Sequence, residues 1–269
     1  MNDLTPSLPP HAPSTIHQFL RAHALPPAAE GVVLGLSGGI DSALCARLAA
    51  DALGASRVLG VLLPTAGVPS ALVDETEQYA STLGIAHRTL PLDGIARVFH
   101  SLLPEVTDRV TTGNTLARVR MTVLYALARE SGRVVLGTGN KSELLLGYFT
   151  KYGDGGADLL PIGDLYKTQL RALATQLGLP RTILDRAPSA GFWEGQTDEG
   201  ELGDSYADLD RILYGIEQLC GPEEIHERTG LPMDAIRRVE DRVRLSRHKR
   251  RLPPVAKLGL RTVGLDWRE

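Results

Sequence analysis

The feature that most constrains the fold is a short apolar run that passes directly into a small polar loop. Residues 32–36 are Val-Val-Leu-Gly-Leu, and Ser-Gly-Gly-Ile-Asp-Ser follows at 37–42. An unbroken apolar run of this length is typical of a parallel strand covered on both faces. An apolar stretch typical of a helix then occupies residues 43–53. These residues predict a buried strand, a tight turn and a helix.

The turn has the composition of an anion-binding loop. Gly38 and Gly39 let the backbone bend sharply and bring bare amides close to a ligand. The following helix start adds unpaired amides and a positive dipole end, and Ser37 and Ser42 add hydroxyl donors. Asp41 by itself would repel a phosphate, but Mg²⁺ typically bridges carboxylates and phosphates. The alternative is an ordinary turn in which Asp41 caps the helix.

Two commoner phosphate loops are excluded at this position. The spacing of a Walker A loop is absent, and so is the G-x-G-x-x-G pattern of dinucleotide-binding folds. Residues 37–42 instead resemble the SGGxDS loop of the ATP pyrophosphatases, which holds the pyrophosphate that leaves when the α-phosphate of ATP is attacked. The loop alone does not choose among NAD, GMP and asparagine synthetases and tRNA-modifying enzymes.

Strands and helices alternate through the first half of the chain. Apolar runs lie at 58–63, 85–90 and 134–137, and helical patterns lie at 71–83, 95–103 and 116–129. This alternation predicts an α/β fold with a doubly wound parallel sheet and helices on both faces. Ligands of such sheets bind outside the carboxyl ends of the strands, where residues 37–42 and 137–140 fall.

The rest of the chain divides into loops, helices and a tail. Residues 141–164 and 187–204 are predicted to be long polar loops, the first of them functional because it mixes aromatic residues with both charge signs. Helices are predicted at 14–23, 166–177, 205–219, 222–229 and 232–246. Residues 1–13 carry several prolines and few apolar anchors, and are predicted to be a flexible tail before a single domain over 14–269.

Charge and cysteine content indicate the cellular compartment and the classes of partner. The net charge of −3 gives no general attraction to nucleic acid. Cys45 and Cys220 form neither a disulfide framework nor a metal-ligand pattern, which favours a reducing compartment. No signal peptide or membrane-spanning apolar run is visible. A cytoplasmic protein without a nucleic-acid or membrane partner is expected.

Further segments resemble the NAD synthetase family of the ATP pyrophosphatases. The resemblance runs from about residue 14 to about residue 254 and includes GNTLARVRM at 113–121, GTGNKSE at 137–143, GYFTKYGDGGAD at 147–158, Pro161-Ile162, KTQ at 167–169, QTDE at 196–199 and HKR at 248–250. It implies the adenine nucleotide alpha hydrolase-like form of the doubly wound sheet, with additional C-terminal helices.

The resemblance also implies roles for individual residues. The implied ATP-binding residues are Gly35, Leu36, Ser37, Gly38, Gly39, Ile40, Asp41, Ser42, Thr138, Lys167 and Ser189. The implied deamido-NAD-binding residues are Arg118, Lys151, Asp158, His248 and Lys249. Asp41 and Glu143 would bind Mg²⁺, and Asp41 and Lys167 would be catalytic. Two departures are Ser189, where many members have Thr, and Leu62, where some bacterial members have Arg.

The residues themselves leave several readings open. Lys167 either neutralises phosphate or is a solvated lysine at a helix start. Glu143 is either a metal ligand or a first-turn carboxylate. Residues 196–199 are either a metal site or lid, or a polar segment that caps the helix near 205. The basic run 237–251 is a solvated helical face, a nucleic-acid surface, or in 248–249 a phosphate-binding end.

The activity implied by the resemblance is ATP-dependent amidation of deamido-NAD to NAD through an adenylated carboxylate, by a homodimer. Ammonia is the expected nitrogen source, because only about thirty residues precede the loop and neither cysteine lies in a plausible glutaminase site. The alternatives are another ATP pyrophosphatase that modifies tRNA or a base, and a non-catalytic ATP-binding regulator.

Overall fold

The four predicted strands pair into one parallel sheet in this computed structural model, which describes residues 3–24, 29–189, 191, 193, 195–263 and 266. The strands are β1 (Gly31–Gly35), β2 (Val58–Leu62), β3 (Ala86–Thr89) and β4 (Arg133–Val135), in the order β3-β2-β1-β4. In the register, Val32 pairs with both Val58 and Val134. The predicted fold class, a parallel sheet with helices on both faces, is confirmed.

Helices connect the strands and form the second half of the described chain. They are α1 (Ala12–His23), α2 (Ile40–Leu53), α3 (Ser70–Thr82), α4 (Asp93–Leu102), α5 (Arg109–Glu130), α6 (Lys141–Leu146), α7 (Lys167–Gln176), α8 (Arg181–Leu184), α9 (Asp198–Leu202), α10 (Tyr206–Glu217), α11 (Pro222–Thr229) and α12 (Met233–Leu245).

Alternating side chains of β1 supply two separate cores. Val32 and Leu34 pack into a core with α1, α2 and α7, whereas Val33 packs into a core with α5. This is the result of the two-residue period of a strand, which sends neighbouring side chains to opposite faces. A third core joins α6 to the C-terminal helices α10, α11 and α12. The C-terminal helices therefore form a layer beside the sheet.

The prediction of a loop over the whole of 141–164 is wrong at its start, where α6 lies. Asn140 and Glu143 form a capping box, in which each side chain accepts a hydrogen bond from the other's backbone amide. An Asn followed three residues later by Glu is a known helix-start signature. Gly147 ends α6 in a left-handed conformation with φ +64°. The second predicted loop, 187–204, likewise contains α9, capped by Thr197.

The N-terminal segment is packed where the tail was predicted to be flexible. Leu4 is fully buried among side chains of the C-terminal helices, and Asp3 lies 3.0 Å from Arg211 of α10. Gln169 of α7 donates a hydrogen bond of 2.7 Å to the carbonyl of Ser7. One apolar anchor and these polar contacts hold a segment whose composition alone predicts no order. Met1 and Asn2 lie outside the described residues.

The helices of the described chain do not include one that is both long enough and apolar enough to cross a lipid bilayer.

Candidate active site

Two loops meet where the strand order changes direction. From β1 the chain moves outward through β2 to β3, whereas β4 lies on the other side of β1. The segments after β1 and β4 therefore leave neighbouring strands at the same edge of the sheet, which is the position where open α/β sheets bind ligands. The sequence prediction that residues 37–42 and 137–140 meet at this edge is confirmed.

The loop after β1 is held in shape by its own hydroxyl groups. Ser42 accepts a hydrogen bond from the amide of Ser37 at 3.2 Å and donates to the carbonyl of Gly39 at 3.1 Å. Gly38 has φ +79°, and a Cβ there would lie 2.6 Å from Leu72. A side chain at residue 38 would therefore be strained and would have to displace Leu72 and Thr76. The first-turn amides of α2 remain available because a helix leaves them unpaired.

Lys167 lies between the two acidic residues that the resemblance pairs. Its ammonium group is 2.7 Å from a carboxylate oxygen of Asp41 and 3.1 Å from one of Glu143. Lys167 is only 1% exposed. The reading of Lys167 as a solvated lysine at a helix start is therefore wrong, since a buried ammonium must be paired.

Asn140 completes a cluster with Asp41, Glu143 and Lys167, which we call the reaction cluster. No role was assigned to Asn140 from the sequence. It is fully buried, and its side-chain amide donates a hydrogen bond of 2.8 Å to the second carboxylate oxygen of Asp41. The same side chain caps α6, which carries Glu143. Asn140 thus fixes Asp41 of α2 relative to Glu143 of α6. The capping-box spacing was the signal in the sequence that could have identified it.

The reaction cluster holds more carboxyl groups than cationic groups. Burial, together with the neighbouring carboxylate of Asp41, raises the pKa of Glu143 to about 8 against the opposing charge of Lys167. Burial disfavours the charged ammonium of Lys167, but Asp41 and Glu143 outweigh it and raise the pKa of that group. Asp198 is buried nearby, and burial raises its pKa. Among the described residues, one of its carboxylate oxygens has no hydrogen-bond partner. A further cation would compensate this excess.

The donor set fits a magnesium ion that also binds a phosphate. Among the described residues, no group of three or more His, Cys, Asp or Glu side chains is arranged to hold a metal by itself. Asp41 and Glu143 nevertheless offer two carboxylates at the mouth of an amide-lined loop. Proteins usually hold Mg²⁺ with one or two carboxylates and complete its shell with substrate phosphates and water.

Arg186 is a second residue that sequence reasoning missed. Its guanidinium donates to the carbonyl of Gly38 and to the carboxylate of Glu75 on α3. Burial opposes the charged form of Glu75, yet its pKa is lowered, with a hydrogen bond from Thr182 as the largest cause and Arg186 contributing. Arg186 therefore connects the loop at 37–42 to α3 and to the segment after α8. Nothing in its local sequence signals this contact, which depends on chain packing.

The two remaining candidate ATP contacts lie in different surroundings. Thr138 is half-buried in the segment between β4 and Asn140, beside the cluster. Ser189 is exposed, and its hydroxyl accepts a hydrogen bond from the amide of Gly191 at 3.1 Å. No hydrogen bond between described residues joins Ser189 to the loop at 35–42. Its assigned contact with ATP stays a prediction.

Four of the five candidate dinucleotide-binding residues form a basic patch at the far end of α6. Arg118 donates to the carbonyl of Lys151 at 3.2 Å, and Lys151 donates to the carbonyl of His248 at 2.9 Å. Lys249 donates to the carbonyl of Gly147 at 2.7 Å. Glu143 lies in the first turn of α6, and the four residue steps from it to Gly147 separate it from this basic patch by about 6 Å along the helix.

Asp158 lies apart from the basic patch. Its carboxylate accepts hydrogen bonds from the amide of Val135 at 2.7 Å and from the hydroxyl of Tyr125 at 3.0 Å. Tyr125 is about two turns further along α5 than Arg118. Asp158 therefore lies beside the end of β4, between the cluster and α5.

The structure distinguishes the readings of the later polar segments. Thr197 caps α9, and Glu199 accepts a hydrogen bond from the amide of Tyr206 at the start of α10. Glu199 therefore contacts the start of the helix near residue 205, as the capping interpretation expects, whereas Thr197 caps α9 instead. In the basic run, Arg238 pairs with Asp204 and Asp234 in the manner of a solvated face, and the guanidinium of Arg250, at the same end as Lys249, binds helix carbonyls.

Comparison with known proteins identifies the family. The model of the NAD synthase family matches residues 13–253. The chain belongs to the NAD synthase family. An NH(3)-dependent NAD(+) synthetase of Methanococcoides burtonii is 48% identical over 231 residues, which make up 85% of this chain and 88% of the relative.

Two solved structures of related synthetases are similar to this chain in fold. The NMN synthetase from Francisella tularensis has a TM-score of 0.82 at 35% identity, covering 92% of this chain and 98% of the other. The NH3-dependent NAD synthetase from Campylobacter jejuni has a TM-score of 0.78 at 31% identity, covering 91% and 97%. Because the chain belongs to the NAD synthase family, we set aside the tRNA- and base-modifying alternatives that the loop at 37–42 left open.

Proposed function

We propose that the protein converts deamido-NAD to NAD with ATP and ammonia. The observation that carries this proposal is the buried Lys167, held between Asp41 and Glu143 beside an amide-lined loop. A fixed cation and free amides at one place suit a reaction in which pyrophosphate departs, because preorganised charges stabilise the developing negative charge. Family membership and the NAD synthetase relatives support the same activity.

The chemistry has two steps. A nicotinate carboxylate oxygen attacks the α-phosphorus of ATP, an O–P bond forms, and the bond to the β-phosphate breaks to release pyrophosphate. Ammonia then attacks the adenylated carboxyl carbon, a C–N bond forms, the C–O bond to AMP breaks, and the nitrogen loses a proton. The residues of the cluster and the loop position the reactants and stabilise charge. Lys167 supplies the positive charge that the loop itself lacks.

Mg²⁺ is the proposed cofactor, with Asp41 and Glu143 as its protein ligands. Bound there, it would neutralise phosphate oxygens. In Asp41→Asn, NAD formation should fall by about 100-fold or more, as for loss of a key transition-state donor, while the fold persists. Asp51→Asn on the same helix, whose carboxylate pairs with the half-buried Arg47, is the matched control. Near-normal Mg²⁺-dependent turnover in Asp41→Asn would exclude this assignment.

The basic patch suits the dinucleotide. Arg118, Lys151, His248 and Lys249 lie together at one end of α6, and the reaction cluster lies at the other. A dinucleotide can therefore place its phosphates at the basic patch while its nicotinate carboxylate reaches ATP. Asp158 lies beside the end of β4, apart from the basic patch, and is proposed to contact the same substrate. In Lys151→Gln the KM for deamido-NAD should rise more than the KM for ATP.

A product assay tests the whole proposal. The protein is incubated with ATP, Mg²⁺ and deamido-NAD, once with ammonium and once with glutamine. NAD, AMP and pyrophosphate are expected with ammonium and not with glutamine. Equal rates with glutamine would overturn the assignment of ammonia as nitrogen source. ATP binding without turnover would favour the non-catalytic regulator.

The size of the substrate is tested in the same assay. The similarity to an NMN synthetase makes the mononucleotide the competing acceptor. The basic patch favours the dinucleotide, so kcat/KM should be higher for deamido-NAD than for nicotinic acid mononucleotide. The opposite preference would reassign the product while leaving the ATP chemistry intact.

A homodimer is proposed from an uncovered apolar face. None of the residues of α4 is buried. Its apolar residues Ile95, Val98 and Leu102 are 45%, 58% and 71% exposed. Leu103 and Val110, in the connection to α5 and in its first turn, extend the face. A second copy of the chain is its proposed cover. Val98→Asp should convert dimer to monomer in sedimentation velocity, whereas Leu219→Asp, at another exposed site, should not.

A further inference from the structure

Asp210 of α10 is a fully buried carboxylate with a complete set of donors. It is 0% exposed. One carboxylate oxygen accepts a hydrogen bond from the hydroxyl of Ser142, and the other accepts from both the amide and the hydroxyl of Thr168 at 2.8 Å each. A buried carboxylate is costly unless it is satisfied in this way. The network therefore has a defined geometry.

The partners of Asp210 are the immediate neighbours of the two residues that surround Asp41. Ser142 precedes Glu143 on α6, and Thr168 follows Lys167 on α7. The hydroxyl of Ser142 also accepts a hydrogen bond of 2.9 Å from the backbone amide of Lys167. One carboxylate thus joins the first turns of the two helices that supply Glu143 and Lys167.

This link acts where a helix is least constrained by its own backbone. The amides of the first turn have no partner within the helix, and Asp210 occupies one of them at the start of α7 from a distance of 42 residues in sequence. Without it, the start of α7 could rotate or shift against α6. A displacement of about 1 Å at a reacting group is enough to lower turnover strongly.

We propose that Asp210 is a positioning residue that sets the Lys167 ammonium relative to Glu143 and Asp41. It touches neither ATP nor the reacting carboxylate in this proposal, and it acts through Ser142 and Thr168. The inference rests on the proposed function, because the effect on turnover requires that Lys167 takes part in the reaction. The competing explanation is that Asp210 only stabilises the packing of α10.

Asp210→Asn is the informative substitution. It keeps the shape of the side chain, but one of its two polar ends becomes an amide that donates. Either orientation replaces charge-assisted hydrogen bonds by neutral ones. Turned toward Thr168, the new amide opposes a donating backbone amide, and turned toward Ser142, it requires the hydroxyl to accept instead of donate, so the link is weakened. Ile212→Val on the same helix is the matched control, because Ile212 is fully buried yet belongs only to the apolar core.

The experiment compares turnover, both KM values and ATP–Mg²⁺ binding by calorimetry in the wild type and the two variants. In Asp210→Asn, kcat should fall by about 10- to 100-fold and ATP–Mg²⁺ binding should weaken, as for loss of an outer partner of a site ligand. The KM for deamido-NAD should change by less than about twofold, because the basic patch is not linked to Asp210. Ile212→Val should keep kcat within about twofold.

The substitution Ser142→Ala tests the link between Asp210 and α6 independently of Asp210→Asn. It removes the connection from Asp210 to α6 while leaving both contacts to Thr168. Its loss of kcat should be smaller than that of Asp210→Asn, and the double variant should lose less than the product of the two single losses, because the residues act as one unit. Multiplicative losses, or a kcat of Asp210→Asn equal to that of Ile212→Val, would overturn the proposal.

The outcomes separate this proposal from the function on which it rests. If the wild type forms no NAD, the proposed function fails, and calorimetry still reports whether Asp210→Asn weakens ATP–Mg²⁺ binding. Unchanged binding in that variant would overturn the positioning role independently. If Asp210→Asn does not fold, two milder variants decide the matter by the same measurements: Thr168→Val, which removes one contact to Asp210, and Ser142→Ala, which removes the contacts of Ser142 to Asp210 and to the Lys167 amide.

Discussion

The ammonium group of Lys167 lies 2.7 Å from a carboxylate oxygen of Asp41, although 126 residues separate them in the chain. The lysine is buried, so the pair is not a mobile surface contact. Glu143 approaches the same ammonium from a third segment of the chain. The charge balance of the site therefore depends on one side chain at the first position of α7.

Replacing that lysine should damage both stability and turnover. Lys167→Met leaves the half-buried carboxyl groups of Asp41 and Glu143 without their buried cation, and breaking a buried pair typically costs about 3–5 kcal/mol. The free energy of unfolding, measured with urea, should fall by that amount, and NAD formation should fall by about 100-fold or more. Lys141→Met is the control, because that lysine pairs with the more exposed Asp164 and Glu217. NAD formation close to that of the wild type in Lys167→Met would contradict the role of the ammonium.

The pH dependence of stability should carry the signature of Glu143. Burial raises its pKa from 4.5 to about 8. Between these two values the folded protein holds the proton and the unfolded chain has lost it, so the contribution of Glu143 to stability is lost as pH rises. In metal-free protein, the advantage in unfolding free energy of wild type over Glu143→Gln should be larger near pH 5 than near pH 8. Glu130→Gln, at the exposed end of α5, should show no such trend.

Arg186 should contribute to the binding of ATP. In Arg186→Gln the carbonyl of Gly38 loses its charged donor and Glu75 loses its cationic partner, while the contact of Glu75 with Thr182 remains. A hydrogen bond to a charged group is worth about 1.5–3 kcal/mol, so the KM for ATP should rise by about 10- to 100-fold. Arg181→Gln, whose side chain is 84% exposed, is the control and should leave this KM unchanged. Equal KM values in the two variants would show that Arg186 does not support the loop.

Leu4 should contribute to global stability. Leu4→Ala removes a fully buried side chain from the core of the C-terminal helices. Such a change costs about 2–5 kcal/mol, and the midpoint of urea unfolding should fall accordingly. Leu258→Ala, at a side chain that is 97% exposed, should leave the midpoint unchanged. Matching midpoints would indicate that the N-terminal segment is bound only loosely.

The sheet and its ligand-binding edge could be predicted from the sequence because their signals are local. Apolar runs bounded by glycine and proline identify the strands, and the turn at 37–42 directly follows one of them. Parallel order then places residues 37–42 and 137–140 at one edge without further information. The same reasoning works for Asp41 and Lys167 as chemical types, but it does not reveal that they touch.

Residues whose role depends on packing between distant segments could not be predicted in the same way. Arg186 reaches Gly38 across 148 positions of the chain, and nothing near it in sequence indicates that contact. Asp210 had a weak signal, since a carboxylate at helical spacing between Tyr206 and Leu213 falls on the buried face of α10. Leu4 was missed because a single apolar residue among prolines is no evidence of a core.

The packing of Leu4 has a consequence for the order in which the molecule is completed. Leu4 is buried against Gly215 and Ile225, which follow it by more than 200 positions in the chain and are therefore synthesised much later. The sheet can form from residues 31–135 while the segment around Leu4 still has no place to bind. Docking of this segment is thus a final step that waits for the C-terminal helices. A bulky fusion joined directly before residue 3 would compete with this final step, whereas one placed after residue 263 would not.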